Sequence, residues 1–201
     1  VRELLAKSPE TQVVYRDGQR RVARIENYSP DSLALTQSVP TQLVTDASKT
    51  IAGLRWQPNP RKKPGELEVE IRVSATGLNF RDVLIAMGEY PEAAPLGCEC
   101  VGEIVSVGSG AGDLAARGLS IGTQVMAIAP HSFAQYVTIN RDLVVPIPET
   151  TDLLAAATLP VAFTTAYYSL YQLAELKAGE KVLIHSAAGG VGQAAVQIAQ
   201  Q

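Results

Sequence analysis

A short glycine loop between an apolar run and an amphipathic stretch is the feature that most constrains how this chain folds. Residues 181–185 have the pattern of a buried strand, and the small residues after them read Ala187-x-Gly189-x-x-Gly192. The next stretch has the period of a helix, with Val191, Ala195 and Ile198 on one face. A strand, a tight glycine turn and a helix in this order are typical of a dinucleotide-binding βα unit. The sequence therefore predicts the first strand and helix of a Rossmann domain.

The small residues of this loop have a physical use if a dinucleotide binds there. Residues 187–190 let the backbone turn tightly and let a pyrophosphate approach main-chain N–H groups, while the positive end of the helix dipole faces the phosphates. The glycine at position 192 permits close packing of the helix on the strand. The predicted cofactor contacts are Ala188, Gly189, Gly190, Val191 and Gly192. The alternative is a tight βα turn that binds nothing, and the alanine at position 187 makes the pattern a variant.

The chain before residue 150 is predicted to be rich in β-strands. Residues 67–73 alternate apolar and charged side chains, and further short β-type runs occupy residues 12–15, 21–25, 101–107, 124–129 and 133–139. Many short strands separated by glycine turns are typical of a barrel or a sandwich. Helical patterns begin at residue 152, so we expect the change of domain between residues 150 and 160.

A short helix is predicted between Asn79 and Gly88. Asn79 is a favourable N-cap residue, Asp82 stands three residues after it, and a glycine closes the apolar run that follows. We expect Arg81 and Asp82 to form local structural pairs.

Composition and charge exclude several classes of function. The chain has 201 residues, a formal net charge of −3 and only two cysteines, Cys98 and Cys100. Without excess positive charge it offers no field for nucleic acid or anionic lipid, and two cysteines this close do not build a disulfide framework. No apolar run has membrane-spanning length and no signal peptide opens the chain. We expect a cytoplasmic protein and, because the first residue is not methionine, a piece of something longer.

Three motifs give the chain a resemblance to a known family. Residues 77–84 read Gly-Leu-Asn-Phe-Arg-Asp-Val-Leu, residues 96–99 read Leu-Gly-Cys-Glu, and residues 185–192 read His-Ser-Ala-Ala-Gly-Gly-Val-Gly. The sequence resembles the medium-chain dehydrogenase/reductase superfamily, and within it the enoyl reductase domain of modular polyketide synthases. The resemblance implies an α/β fold with a β-barrel. Residues 1–155 would hold N-terminal strands and a GroES-like substrate domain, and residues 156–201 the first part of a Rossmann domain.

The resemblance also implies an activity. Such an oxidoreductase uses NADPH to reduce the 2,3-double bond of an enoyl thioester, with hydride addition at Cβ and protonation at Cα. The substrate is carried on the phosphopantetheine arm of an acyl carrier protein, and neighbouring synthase domains are further partners. The residue that selects NADP or NAD follows the next strand of a Rossmann unit, outside this chain, so NADPH is implied by the resemblance alone. A free-standing quinone or enone reductase and a non-catalytic structural domain are the alternatives.

Three residues receive roles from the resemblance. Tyr90 is similar to a tyrosine that faces the substrate and is associated with protonation at Cα, which makes it the expected catalytic residue. Asn79 matches an asparagine of the cleft that orients substrate or ribose, and Thr165 matches a threonine near the nicotinamide. From the residues alone, Tyr90 is a rim tyrosine, Asn79 a helix cap and Thr165 a buried helix threonine. The family's Lys and Asp proton-donor candidates would come after Gln201.

No metal site is expected. The ligand positions of zinc-dependent relatives resemble Asn79 and Cys98-Glu99 here, and the two histidines of the chain are distant in the sequence, so no ligand set is assembled. We expect Cys98 and Cys100 to pack as small apolar side chains beside the barrel. His185 ends a strand with buried faces and is expected to be neutral, hydrogen-bonded and structural.

Overall fold

The computed structural model describes residues 13–22, 39–110, 114 and 116–201, and the chain divides into two compact units, residues 1–37 and 38–201. In the first unit, β1 (Val13–Arg16) and β2 (Gln19–Val22) pair as an antiparallel hairpin. Asp17 and Gly18 form its two-residue turn, and both have positive φ, as a type I′ turn requires. The two predicted runs are confirmed there, while residues 12 and 23–25 lie outside the described residues.

Antiparallel strands form the body of the second unit. Its described residues contain seven strands: β3 (Thr41–Thr45), β4 (Leu54–Pro58), β5 (Glu68–Thr76), β6 (Glu99–Val107), β7 (Gln124–Ile128), β8 (Tyr136–Asn140) and β9 (Val144–Pro146). β3 pairs with β4, and the other five strands form one sheet in the order β8-β5-β6-β7-β9. Buried apolar side chains of this sheet, including Val69, Ile71, Cys100 and Ile104, form the main core. The predicted β-rich fold is confirmed.

The central strand β5 shows where the predicted alternation holds and where it does not. Val69 and Ile71 are fully buried, as period two predicts. Glu70 between them is buried as well, because the Arg61 guanidinium donates to both of its carboxylate oxygens at 2.9 and 2.6 Å. The same guanidinium lies 4.5 Å from the centroid of the Tyr136 ring. A bidentate pair of this kind compensates a carboxylate for the loss of water.

Helix α1 (Phe80–Ala86) lies between β5 and β6 in the chain, and both predicted signals at its ends are confirmed. Asn79 is its N-cap residue. At its end, the N–H groups of Gly88 and Glu89 donate to carbonyl groups of the last helical turn, which is the hydrogen-bond pattern of a Schellman motif. Gly88 has a φ of 71°, the left-handed conformation that this motif requires and that glycine adopts without strain.

Three helices follow the sheet: α2 (Leu153–Ala156), α3 (Pro160–Tyr167), which continues as a π-helix over Tyr168–Leu173, and α4 (Gly190–Ala199). Single 3₁₀ turns occupy Ile51–Gly53 and Arg141–Leu143. α3 and α4 pack on each other through a small second core: Ala166, Leu170, Ala194, Ala195 and Ile198. In the described part of the chain, no helix is long and apolar enough to cross a membrane.

Two sequence predictions near the glycine loop are wrong in this structure. Residues 181–185 do not form a strand: Leu183 is 82% exposed, and His185 is exposed rather than part of a buried strand. A strand exists only through pairing, and no strand of the described residues pairs with this segment. Val191 is also exposed, whereas Ala195 and Ile198 are buried, so the first turn of α4 does not continue the apolar face of that helix.

Candidate active site

Asn79 and Asp82 hold the start of α1 against the loop at Gly97. The Asp82 side chain is buried, and its two carboxylate oxygens accept from the N–H groups of Asn79 at 2.9 Å and of Gly97 at 2.8 Å. Negative charge is favourable at a helix N-terminus. The side-chain amide of Asn79 turns to a second carboxylate, and its Nδ2 donates to Oε1 of Glu99 at 2.7 Å.

Glu99 links the sheet to helix α3. It is 3% exposed at the start of β6, and its second oxygen accepts from the backbone N–H of Val161 in the first turn of α3, at 2.8 Å. N–H groups of a first turn have no partner within their helix, so a buried carboxylate is a suitable acceptor for this one. Gly77 permits this approach, because an added Cβ would overlap with the Glu99 carboxylate and lie 2.6 Å from the carbonyl oxygen of Ala157.

The sequence patterns predict no chemical role for Glu99. One sequence signal for it is a single carboxylate inside the otherwise apolar stretch of residues 96–101. A second signal is Gly77, which follows the preceding predicted strand. A charge in such a stretch has to find donors when it is buried. Which donors it finds depends on α3, which lies about 60 residues further along the chain.

Arg81 contacts Cys98 and Tyr90. Its Nη1 lies 2.9 Å from Sγ of Cys98, and its guanidinium carbon lies 5.2 Å from the centroid of the Tyr90 ring. No local pair between Arg81 and Asp82 forms among these contacts, because the Asp82 carboxylate is taken by two backbone N–H groups. The half-buried Tyr90 is therefore connected through Arg81 to the first turn of α1, next to Asn79.

Both cysteine side chains are buried, as expected for small apolar residues. Burial and the nearby Asp82 carboxylate raise the pKa of the Cys98 thiol above its ordinary value, although Arg81 opposes them. Burial and Glu99 raise the pKa of Cys100 to about 12. Both thiols are therefore protonated at neutral pH. The thiol of Cys98 also lies against the guanidinium cation of Arg81. Among the described residues, no three His, Cys, Asp or Glu side chains gather where they could hold a metal ion.

Thr165 lies one helical turn after Val161 on α3, and its side chain is exposed. It is therefore not the buried helix threonine that the residues alone suggested. The bond between Glu99 and Val161 brings Asn79 to the start of the helix that carries Thr165. Glu99 thus links Asn79 to the first turn of α3, one helical turn before Thr165.

The glycine loop leads into α4 with open space at one of its positions, Gly190. Gly189 is the N-cap of α4, and its N–H donates to the carbonyl of Ser186 at 2.9 Å. The carbonyl of Ala188 accepts from the side chain of Gln193 at 2.8 Å. An added Cβ would lie 3.3 Å from the Ser186 oxygen at Gly189 and would meet nothing within 4 Å at Gly190.

Gly192 is buried and serves close packing. An added Cβ would overlap with the carbonyl oxygen of Ser186 and lie 2.7 Å from Cα of Ala187. The contact is with the turn that precedes the helix, and Ser186 in that turn has a φ of 54°. The loop therefore contains two kinds of glycine: Gly192 fits a backbone contact, and Gly190 faces empty space.

Comparison with known proteins supplies the family. Residues 65–149 match the alcohol dehydrogenase GroES-like domain. The solved CurK enoyl reductase is 42% identical with a TM-score of 0.72, and the match covers 80% of this chain and 51% of that one. The chain belongs to the medium-chain dehydrogenase/reductase superfamily. The resemblance stated from the sequence motifs is confirmed.

Two further proteins are similar to this chain. A phenolphthiocerol/phthiocerol polyketide synthase of Mycobacterium tuberculosis is 40% identical in an alignment that covers 98% of this chain and 10% of that protein. The mycobacterial protein Rv1454c, solved in complex with NADPH, is 31% identical with a TM-score of 0.67, over 81% of this chain and 50% of that one. This medium-chain reductase chain thus spans about half the length of the solved proteins and a tenth of the synthase.

Proposed function

We propose that this chain belongs to an NADPH-dependent enoyl reductase of a polyketide or fatty-acid synthase. The substrate is a 2-enoyl thioester on the phosphopantetheine arm of an acyl carrier protein, and neighbouring synthase domains are further partners. Residues 1–155 contain the N-terminal strands and the substrate domain, and residues 156–201 begin the cofactor domain. Similarity to a polyketide synthase over 98% of the chain and to a solved enoyl reductase supports this assignment over a free-standing quinone reductase.

The open space at Gly190 is the observation that carries the proposal. Its φ is not in the left-handed region, and an added Cβ would meet nothing, so neither backbone conformation nor packing requires a glycine there. Glycine in place of alanine costs a helix about 0.5–1 kcal/mol. The absence of a side chain at Gly190 leaves room for a pyrophosphate to approach the N–H groups at the start of α4. These residues therefore fit a dinucleotide.

The roles of the chain's own residues follow from their positions. Ala188, Gly189, Gly190, Val191 and Gly192 would hold the pyrophosphate. Asn79 and Thr165, on the two elements that Glu99 connects, would orient the nicotinamide ribose and the substrate. A bound nicotinamide supplies the hydride for Cβ of the enoyl group. Tyr90 donates its phenolic proton toward Cα or hydrogen-bonds the developing enolate oxygen.

The test uses the full-length protein that contains this chain. NADPH fluorescence is titrated first, with NADH as the comparison, and oxidation of NADPH is then followed with a crotonyl thioester. Tighter binding of NADPH and formation of the saturated thioester are expected, with no loss of rate in the presence of a chelator. Reduction of quinones without reduction of the thioester would identify a quinone reductase. Failure to bind either nucleotide would identify a non-catalytic domain.

A further inference from the structure

We propose that Arg81 is a positioning residue for Tyr90: it holds the phenol ring in place and keeps a positive charge beside it. The inference rests on the proposed function, because it concerns the same site. The contacts that carry it are the guanidinium over the Tyr90 ring, at 5.2 Å from the centroid, and the bond from Nη1 to Cys98 at 2.9 Å.

Both residues are attached to one rigid element. Arg81 stands in the first turn of α1, whose start Asp82 ties to the loop at Gly97. Tyr90 follows the Schellman motif at Gly88, and its own N–H donates to a carbonyl of the last turn of α1 at 3.2 Å. The backbones of the two residues are therefore fixed relative to each other. The Arg81 side chain only has to bridge the space between them.

Among the described residues, the charge of Arg81 has no carboxylate partner. Three other arginines of this part of the chain form ion pairs within hydrogen-bond distance, Arg61 with Glu70, Arg72 with Glu103 and Arg117 with Asp142. No such pair of the described residues includes Arg81, and its buried Nε has no hydrogen-bond acceptor among them. Its contacts are a protonated thiol, which is a weak acceptor, and an aromatic ring. The positive charge of Arg81 is therefore not neutralised by an ion pair among the described residues.

This arrangement has a chemical consequence at Tyr90. A cation over an aromatic ring attracts the ring and restricts its position. When the phenolic O–H bond breaks and its proton forms the new bond at Cα, the phenol becomes a phenolate, which later takes a proton from water. The Arg81 charge stabilises that phenolate. Arg81 therefore acts through Tyr90 and does not need to touch the substrate.

The variants Arg81→Met, Arg81→Lys and Tyr90→Phe are compared in the full-length protein, with Arg72→Met as the matched control from an exposed ion pair. Thermal unfolding establishes that each variant is folded. The first readout is the rate and the configuration at Cα with a 2-methyl-2-enoyl thioester. We expect Arg81→Met to lower kcat about 10- to 100-fold with little change in KM and to mix the configuration at Cα. Arg81→Lys should recover part of both, and Arg72→Met should behave as wild type.

The second readout does not depend on turnover. In protein labelled with 3-fluorotyrosine, the ¹⁹F resonance that is missing from Tyr90→Phe belongs to Tyr90, and Arg81→Met should shift and broaden it. An unmoved resonance would overturn the proposal even if the protein reduces no enoyl thioester. In an active enzyme, the double variant with Arg81→Met and Tyr90→Phe should lose little more activity than Tyr90→Phe alone. Fully additive losses of activity would also overturn the proposal.

Discussion

At the residue scale, the candidate site is built from buried carboxylates that face backbone and amide donors. Asp82 accepts from two backbone N–H groups, and Glu99 accepts from Asn79 and Val161. A buried charge is tolerated only when such donors replace water. These pairs therefore hold the elements that carry Asn79 and Tyr90 in place.

Tyr90→Phe tests the proposed proton donor. If the phenol delivers the proton, the variant should bind NADPH as wild type does and should slow the reduction or change the configuration at a 2-methyl centre. If the phenol only orients the enolate oxygen, loss of one donor should cost about 100-fold in rate without a stereochemical change. Product rate and chirality from a 2-methyl-2-enoyl thioester are measured for both proteins. Identical rate and configuration would remove Tyr90 from the active site.

Cys100→Ala tests the effect of the buried thiol on the free energy of unfolding at alkaline pH. The pKa of Cys100 is raised from 9.0 to about 12, so the folded state keeps the thiol protonated where the unfolded chain ionises it. The stability of the wild type is therefore full below pH 9 and falls as the pH rises toward 12, by about 1.4 kcal/mol per pH unit from this group. Urea unfolding between about pH 8 and 10.5 should show a shallower fall for Cys100→Ala. Parallel curves would contradict the assignment.

At the element scale, α1 and α4 begin in different ways. At the start of α1 the buried Asp82 carboxylate accepts from the N–H of Asn79, whereas α4 starts at Gly189 without a side-chain cap. An uncapped first turn leaves N–H groups free for a ligand. The two helix starts therefore differ, since the start of α1 is tied to a carboxylate and the start of α4 presents N–H donors.

The three glycines at the start of α4 provide contrasting variants. Gly190→Ala should leave the free energy of unfolding unchanged or raise it by up to about 1 kcal/mol, because its Cβ meets nothing. It should nevertheless weaken NADPH binding, and Gly189→Val should weaken it more, since branched atoms would stand where a phosphate approaches. Gly192→Ala should instead destabilise the fold through overlap with the Ser186 carbonyl. NADPH titration and urea unfolding measure both effects. Equal nucleotide affinity of all variants and wild type would argue against a phosphate site.

At the scale of the whole molecule, Glu99 provides a hydrogen bond between the sheet and the first turn of α3. Glu99→Gln offers one acceptor oxygen and an amide group that cannot accept, so one of its two donors loses its partner. We expect a loss of about 1–3 kcal/mol in the free energy of unfolding. Glu103→Gln on the same strand removes only an exposed pair with Arg72 and should cost less than about 1 kcal/mol.

Urea unfolding of both variants at one pH provides the measurement. The Glu99 variant should also bind NADPH more weakly in the full-length protein, because α3 carries Thr165. Similar stabilities of the two variants would show that Glu99 is not the connection described above.

The sequence by itself determined the features that depend on a few neighbouring residues. The Asp17-Gly18 turn, the Asn79 cap and the closing Gly88 were predictable because turns and caps are set by φ and by side chains within one turn. The β-rich first part followed from alternation over single strands. The motif resemblance to the superfamily was likewise local, and comparison with known proteins confirmed it.

Only the tertiary structure decided what depends on a distant partner. Residues 181–185 have a strand pattern, yet they pair with no strand of the described residues and stay largely exposed, because a strand needs a neighbour for its hydrogen bonds. Glu99 received its role from Val161, and Arg81 received Cys98 and Tyr90 instead of the adjacent Asp82. A charged side chain forms hydrogen bonds or ring contacts with whichever partners the packing brings near it. Sequence spacing does not contain that information.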